Sequence, residues 1–210
     1  MKNYSNVFQP ELNTLNNGFM LKGKWRESFF RNKNPIILEL GCGKGEYTVG
    51  LATKYPQKNF IGIDIKGARI WKGATETINK KINNVSFLRI RIEWIEQCFA
   101  ENEIDEIWLT FPDPHIKKRR VKKRLTHPEF LFKYKNILKK KGLIHLKTDS
   151  YFLYGFTLGI IESEKHMLID ATHDIYNSKL EYEDMEIKTY YENRYLKKGL
   201  PITYICFSFR

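Results

Sequence analysis

The chain has 210 residues, 42% of them hydrophobic, which suits a single domain with a core of its own. Its formal net charge of +12 favours a polyanionic partner, and nucleic acid is the leading candidate because the basic residues cluster. No apolar run approaches the length of a membrane span and the N-terminus lacks the apolar core of a signal peptide, so we expect a cytoplasmic protein without membrane contact.

Residues 1–34 are polar and basic, and most of them lack hydrophobic periodicity. This predicts a solvated, basic N-terminal arm ahead of a domain that spans residues 35–210. Within the arm, Trp25, Phe29 and Phe30 are large enough to cover the edge of a core.

The rest of the chain alternates short apolar runs with helical segments. The predicted strands are 36–40, 59–63, 85–89, 104–111, 143–147, 167–175 and 201–209. The predicted helices are 46–55, 66–81, 93–100 and 151–162, and one more begins at the capping-box spacing of Thr126 and Glu129. Lysines 139–141 and Gly142 are expected to end that helix with a left-handed cap. The alternation indicates an α/β fold: a doubly wound, mostly parallel, Rossmann-like sheet of about seven strands with helices on both faces.

Acidic residues and glycines follow the predicted strands, at the edge where a parallel sheet binds its ligands. The first strand carries Glu39 and leads into Gly41, Gly43 and Gly45, and Asp64 ends the second. An acid two residues before the first glycine would repel a pyrophosphate, which disfavours a nicotinamide dehydrogenase. It suits S-adenosylmethionine, which has an amino group, a sulfonium and no phosphate. Asp64 is placed to accept hydrogen bonds from the ribose, and the pattern resembles the class I methyltransferases.

The end of the third strand is less typical of that class. Arg91 stands where an Asp or Asn is common near the adenine. Arg91 is therefore a candidate cofactor contact that stacks on adenine, or else an RNA contact, and Glu93 is a candidate replacement for the missing acid.

The fourth strand leads into a segment that combines one acid with many cations. Pro112 and Pro114 stiffen the backbone on both sides of Asp113. Seven of the eight residues from Lys117 to Arg124 are Lys or Arg. So many like charges repel one another unless phosphates relieve them, which favours RNA contact over a solvated loop.

The order Pro112-Asp113-Pro114-His115 differs from the Asn/Asp-Pro-Pro-aromatic turn of enzymes that methylate exocyclic amines. Another target atom is therefore expected. Guanine N7 carries a lone pair and no hydrogen. Its methylation therefore needs only alignment of N7 with the sulfonium methyl group and a way to accommodate positive charge on the purine. We expect Asp113 to bind the guanine and to stabilise that cation.

Three stretches resemble the bacterial tRNA (guanine-N7-)-methyltransferase family: FPDPHIKKRRVKKRLTHPEFL, HLKTD at 145–149, and TYYENRYLKKGLPI from Thr189. The resemblance covers most of the chain from about residue 36 onward and implies methyl transfer to guanine N7 in the tRNA variable loop. It also implies a set of site residues: Asp113 as catalytic residue, Glu39, Asp64 and Asp113 at the cofactor, and Lys117, Asp149, Thr189 and Glu192 at the substrate. The chain departs from the family at Arg91, where many members have Asp, and at His115, where many have Trp.

Two other functions stay open at this stage: a methyltransferase that acts on another RNA base position, and a non-catalytic RNA-binding module on the same fold. Without the resemblance, Asp149 is equally a helix cap, and Thr189 with Glu192 passes for a second capping box. The oligomeric state is left open between monomer and homodimer.

The three cysteines, Cys42, Cys98 and Cys206, are odd in number and far apart, and the histidines show no metal spacing. We therefore expect neither a disulfide framework nor a metal site.

Overall fold

The computed structural model describes residues 4–178 and 186–210, so residues 1–3 of the predicted arm lie outside it. Within the described residues, eight strands form one sheet. They are β1 (Val7–Phe8), β2 (Ile36–Leu40), β3 (Asn59–Ile63), β4 (Val85–Leu88), β5 (Ile104–Thr110), β6 (Leu138–Thr148), β7 (Met167–Thr172) and β8 (Thr203–Ser208). The α-helices are α1 (Leu12–Asn16), α2 (Glu46–Lys54), α3 (Gly67–Asn79), α4 (Ile95–Cys98), α5 (Pro128–Ile137), α6 (Tyr151–Ser163) and α7 (Tyr190–Leu196).

The strands lie in the order β1-β4-β3-β2-β5-β6-β8-β7. Neighbours from β1 to β6 are parallel, and β8 is antiparallel to both β6 and β7. The chain moves outward from β2 in one direction through β3 and β4, then in the other through β5 and β6. This reversal creates the crevice at the strand ends where such sheets bind ligands. The predicted doubly wound, mostly parallel fold is confirmed, with β1 as an additional edge strand.

The central strands are buried along their whole length. All five residues of β2 and all five of β3 are buried, as expected for parallel strands covered on both faces. Alternate side chains enter two hydrophobic clusters: Leu38 and Ile61 belong to one, and Ile37 and Phe60 belong to the other. The continuous apolar runs in the sequence are explained by this two-sided core.

The N-terminal segment packs on the sheet and is not a solvated arm over its described part. β1 pairs with β4, and a short π-helix spans Trp25–Phe30. Trp25 is fully buried, stacks on Phe99 with ring centroids 5.6 Å apart, and donates from Nε1 to the carbonyl oxygen of Cys98 at 3.0 Å. Trp25 thus lies where its size suggested, against the core, whereas the pairing of the two-residue strand β1 gave no periodic signal in the sequence.

The start of α5 differs from the predicted capping box. The N-cap is His127, whose Nδ1 accepts from the backbone N–H of Glu129 at 3.2 Å, and Pro128 opens the helix. Thr126 is instead fully buried and accepts from the hydroxyl of Thr157 at 2.9 Å. The T-x-x-E spacing therefore placed the N-cap one residue too early, at Thr126 instead of His127.

The predicted end of α5 was also wrong. Lysines 139–141 belong to β6. The regular pairing of β6 with β5 is interrupted between Leu138 and Leu143. The left-handed residue is Lys141, with φ of 65°, and not Gly142. A Cβ on Gly142 would lie 2.6 Å from Cγ of Leu138, so close packing requires glycine there.

Across residues 4–178 and 186–210, no helix combines the length and apolar character that a membrane span requires. In the same residues, no group of three or more His, Cys, Asp or Glu side chains is arranged to hold a metal ion. The cysteines are free thiols and all three are buried.

Candidate active site

A glycine loop joins β2 to α2 at the ligand-binding edge of the sheet. Gly41, Gly43 and Gly45 have φ values of 81°, 56° and 73°, which disfavour any residue with a Cβ. Open space lies where a Cβ on Gly41 or Gly43 would project, whereas one on Gly45 would lie 2.7 Å from the ring of Phe87. Gly41 and Gly43 thus leave room for a ligand, and Gly45 serves the packing of the loop.

Asp64 ties the glycine loop to the end of β3. Its Oδ2 accepts from the backbone N–H of Gly43 at 2.9 Å, and its Oδ1 accepts from the N–H of Lys66 at 2.7 Å. The side chain therefore fixes two backbone segments at the rim of the site.

Glu39 is a buried carboxylate beneath the same loop. Its Oε2 accepts from the backbone N–H of Thr48 at 2.9 Å and from the Thr48 hydroxyl, and its Oε1 accepts from the Thr110 hydroxyl. Burial raises the pKa of Glu39 to about 7, because it outweighs the hydrogen bonds from Thr110 and Thr48, which act to lower that pKa. Glu39 is thus held near the point where it changes charge at neutral pH.

Two adjacent cavities surround these residues. A cleft of about 630 Å³ is lined by Gly41, Asp64, Arg91, Asp113 and Glu93, among others. A smaller cavity of about 130 Å³ is lined by Glu39, Gly41, Gly43 and Thr189. Gly41, Arg69 and Phe111 line both. Most of the predicted cofactor residues therefore meet around one continuous region, which Gly45 does not line.

Arg91 and Glu93 contact each other on the rim of the cleft. Nη2 of Arg91 donates to Oε1 of Glu93 at 2.8 Å, and both side chains are about half exposed. Partial burial of Glu93 acts to raise its pKa, but the hydrogen bond and charge of Arg91 lower it overall. The two residues predicted as alternatives at the adenine position thus act as one ion pair.

Asp113 lies on an exposed turn after β5, with its side chain 68% exposed. Its Oδ1 accepts from the backbone N–H of His115 at 3.0 Å. Phe111 and His115 have φ of 50° and 42°, in the left-handed region that residues with a Cβ rarely adopt. The turn therefore presents the carboxylate on a backbone that its surroundings must hold in place.

The basic run continues from this turn as a 3₁₀-helix over Lys118–Lys123. Six of its seven cations, Lys117 among them, are exposed, and Lys122 and Lys123 line the larger cleft. Arg124 is the exception, because it is only 5% exposed. The prediction that the whole run faces RNA is corrected at Arg124, whose guanidinium points into the protein.

Thr189 and Glu192 form the second capping box anticipated from their spacing. The Thr189 hydroxyl accepts from the N–H of Glu192 at 3.2 Å, and Oε2 of Glu192 accepts from the N–H of Thr189 at 3.3 Å. Glu192 is fully buried, so of the two only Thr189 lines a cavity.

Asp149 follows β6 but does not cap α6. That cap is Ser150, whose hydroxyl accepts from the N–H of Leu153 at 3.2 Å. Asp149 is half-buried, and desolvation raises its pKa. The cap alternative for Asp149 is therefore wrong.

Several residues of the site carried no recognised sequence signal. Phe111 lines both cavities and stacks against Tyr195 with centroids 6.0 Å apart. Thr48 and Thr110 hold Glu39 in place. The position of Phe111 directly after a strand was an available clue, whereas the two threonines are recognisable only once β2, α2 and β5 are assembled.

Comparison with known proteins gives consistent results. Residues 33–205 match a family model described as "Putative methyltransferase". The chain is 57% identical to the tRNA (guanine-N(7)-)-methyltransferase of Christiangramia forsetii, over 99% of this chain and 93% of that protein. It is 50% identical to the Porphyromonas gingivalis protein of the same name, over 99% and 86%. The 16S rRNA methyltransferase KamB superposes with a TM-score of 0.67 at 12% identity, covering 87% of this chain and 91% of that one, which shows a shared fold alone.

Proposed function

This chain belongs to the tRNA (guanine-N(7)-)-methyltransferase family, and we propose that it transfers a methyl group from S-adenosylmethionine to N7 of a guanine in the variable loop of tRNA. The observation that carries this proposal is that Asp113 lines one cleft with Gly41 and Asp64, beside exposed cations of the basic run. A tRNA-modifying enzyme works where tRNA is, so we place the protein in the cytoplasm.

The cavities fit S-adenosylmethionine by their chemistry. Glu39 and Asp64 supply carboxylates for a ligand with a cationic α-amino group and ribose hydroxyls. The open space at Gly41 and Gly43 admits this ligand against the backbone. Arg91 and Glu93 on the rim of the larger cleft are suited to its adenine. When bound, the cofactor supplies an electrophilic methyl group, whose bond to sulfur breaks as the N7 lone pair takes the methyl.

Asp113 acts on the guanine through charge and alignment. Methylation of N7 leaves a positive charge on the purine, and a carboxylate held beside the ring stabilises that charge as it develops. Oδ1 is already used in the turn, while Oδ2 has no hydrogen-bond donor among residues 4–178 and 186–210. Oδ2 is therefore the oxygen that we assign to the guanine.

The exposed cations from Lys117 to Lys123 hold the phosphates of the tRNA. Asp149 and Thr189 are proposed to contact the substrate, and Thr189 lines the smaller cavity together with Phe111. Glu192, being buried, is proposed to act through its hold on Thr189. Substrate and cofactor then meet at Phe111 and Asp113.

A methyl-transfer assay on unmodified tRNA tests the proposal directly. The wild-type protein should methylate the tRNA, and replacing the variable-loop guanine by 7-deazaguanine, which lacks N7, should abolish the reaction. Asp113→Ala should lower kcat even when the concentrations of cofactor and tRNA are high enough to saturate the variant. Near-normal turnover of Asp113→Ala would refute the role of Asp113, and methylation of the 7-deazaguanine substrate would show that another atom is the target.

A non-catalytic RNA-binding module is the competing function. It predicts that titration calorimetry with S-adenosylmethionine shows no saturable binding. The two carboxylates, Glu39 and Asp64, beside an open glycine loop favour the enzyme.

A further inference from the structure

Arg124 makes contacts unlike those of its neighbours in the basic run. Its Nε donates to the carbonyl oxygens of Pro114 at 3.2 Å and His115 at 3.4 Å, and its Nη2 donates to the carbonyl oxygen of His115 at 3.1 Å. The guanidinium therefore binds the backbone of the turn that directly follows Asp113.

Two aromatic rings of α6 hold the guanidinium in this position. Its central carbon lies 4.6 Å from the ring centroid of Phe152 and 4.4 Å from that of Phe156. These residues are one helical turn apart, so both rings contact the same flat cation. Arginine suits this place because its planar group stacks on rings while its edge donates several hydrogen bonds, which lysine cannot reproduce.

The turn bound by Arg124 needs such support. His115 has φ of 42° and Phe111 has φ of 50°, so left-handed backbone lies on both sides of Asp113. The backbone N–H of Phe111 is fixed to the carbonyl oxygen of Lys147 at 2.8 Å, which anchors the first side. Arg124 is bonded to the carbonyl on the second side. Between these two anchors, Asp113 projects into the cleft.

We propose that Arg124 is a positioning residue for Asp113: it holds the Pro114–His115 backbone against α6 and thereby sets the direction of the catalytic carboxylate. The inference rests on the proposed function, since it assigns Arg124 a part in the same methyl transfer. It also divides the basic run into six cations for RNA and one for the turn.

The test compares Arg124→Lys with Arg124→Gln. Each should lower kcat at saturating tRNA by roughly 10- to 100-fold, because small displacements of a reacting group have effects of that size. The affinity for S-adenosylmethionine and the dependence of tRNA affinity on salt should stay as in the wild type. Arg119→Gln is the contrasting variant, because Arg119 is exposed and its loss should flatten the salt dependence.

Phe152→Leu covers the case in which the Arg124 variants fail to fold. Phe152 is 44% exposed, so its ring can be removed without emptying the core, and kcat should fall in the same direction by a smaller factor. The proposal would be overturned if Arg124→Lys kept the wild-type kcat. It would also be overturned if Arg124→Gln had an unchanged kcat but a weaker dependence of tRNA affinity on salt.

Hydrogen exchange separates this inference from the proposed function. The N–H of His115 is bonded to Asp113 in the turn, so segment 111–117 should exchange faster in Arg124→Lys than in the wild type. This readout needs no methyl transfer. If the wild type fails to methylate tRNA, the proposed function is wrong. Faster exchange in Arg124→Lys would then still support the positioning of the turn by Arg124. Unchanged exchange in Arg124→Lys would reject the positioning itself.

Discussion

Nζ of Lys147 lies 2.7 Å from Oε1 of Glu192, in an ion pair whose side chains are 1% and 0% exposed. The Tyr176 hydroxyl donates to the same oxygen at 2.5 Å, while the other oxygen of Glu192 closes the capping box with Thr189. The pair therefore attaches the start of α7 to the end of β6. Because Thr189 lines the smaller cavity, this attachment sets one wall of the site.

Breaking that ion pair should destabilise the protein strongly. Lys147→Met removes the cation and leaves the Glu192 carboxylate buried, which should lower the free energy of unfolding by about 3–5 kcal/mol. Urea denaturation measures the change. The control is Lys80→Met, which removes an exposed pair with Glu76 and should cost no more than about 0.5 kcal/mol. Equal effects of the two substitutions would contradict the account.

Cofactor binding should depend on pH through Glu39. Its pKa of about 7 in the free protein means that the side chain is neutral below that pH and charged above it. A cationic amino group binds the charged form, so affinity should rise as pH increases through about 7. Binding at pH 7 should also release roughly half a proton, since the free group is half protonated there.

Titration calorimetry in two buffers of different ionisation enthalpy detects that proton. The measured heat should differ between the buffers for the wild type and should not differ for Glu39→Gln, whose side chain does not titrate. A wild-type heat that is the same in both buffers would show that Glu39 does not change charge on binding.

The contact of buried His145 with partly buried Glu106 should make the stability of the protein fall at alkaline pH. Nε2 of His145 lies 3.2 Å from Oε1 of Glu106. Burial acts to lower the pKa of His145, but contacts with Cys206 and Glu106 outweigh it and raise the pKa to about 9. The pKa of His145 is therefore higher in the folded protein than in the unfolded chain. Its contribution to the free energy of unfolding is complete below about pH 6.5 and is lost as pH rises through about 9.

The free energy of unfolding measured at pH 6.5 and at pH 10 tests this sign. Between these two pH values the free energy of unfolding of the wild type should fall by on the order of 2–3 kcal/mol more than that of His145→Asn, in which no imidazole titrates. Parallel pH profiles for the two proteins would show that the imidazole is not protonated in the folded state.

The basic run should determine how tRNA affinity responds to salt. Changing Lys117 and Lys118 together to Gln removes two exposed cations, which should reduce the slope of log affinity against log salt by roughly 1.5. Filter binding across a salt series measures the slope. Lys140→Gln combined with Lys141→Gln is a matched control, because both lysines are exposed near the start of β6, at the opposite edge of the sheet from the cleft. A similar change of slope in the control would indicate a general charge effect.

The sequence predicted the central strands well because they are continuous apolar runs buried on both faces. The predicted bounds 36–40 and 59–63 match β2 and β3. The prediction that residues 139–142 end a helix was wrong, because a run of cations followed by glycine is also typical of a helix end. Only the pairing of β6 with β5 distinguishes the two cases, and that pairing joins residues more than 30 positions apart.

Within the site, the residues in or directly after the carboxyl ends of the strands were the predictable ones. Glu39, Gly41, Asp64 and Asp113 line the cavities because parallel strands bring their carboxyl ends to one edge. Arg124 was not predictable, because a run of like charges does not show which side chain turns inward. That choice depends on Phe152 and Phe156 in a later helix.

The placement of β8 has a consequence for synthesis on the ribosome. β8 lies between β6 and β7 although it follows both in the chain. A nascent chain that has not yet reached residues 203–208 therefore leaves the facing edges of β6 and β7 without their partner, next to the exposed side chains of Met167, Leu168 and Ile169. Open apolar strand edges are templates for aggregation, so insertion of β8 both completes the sheet and ends that hazard.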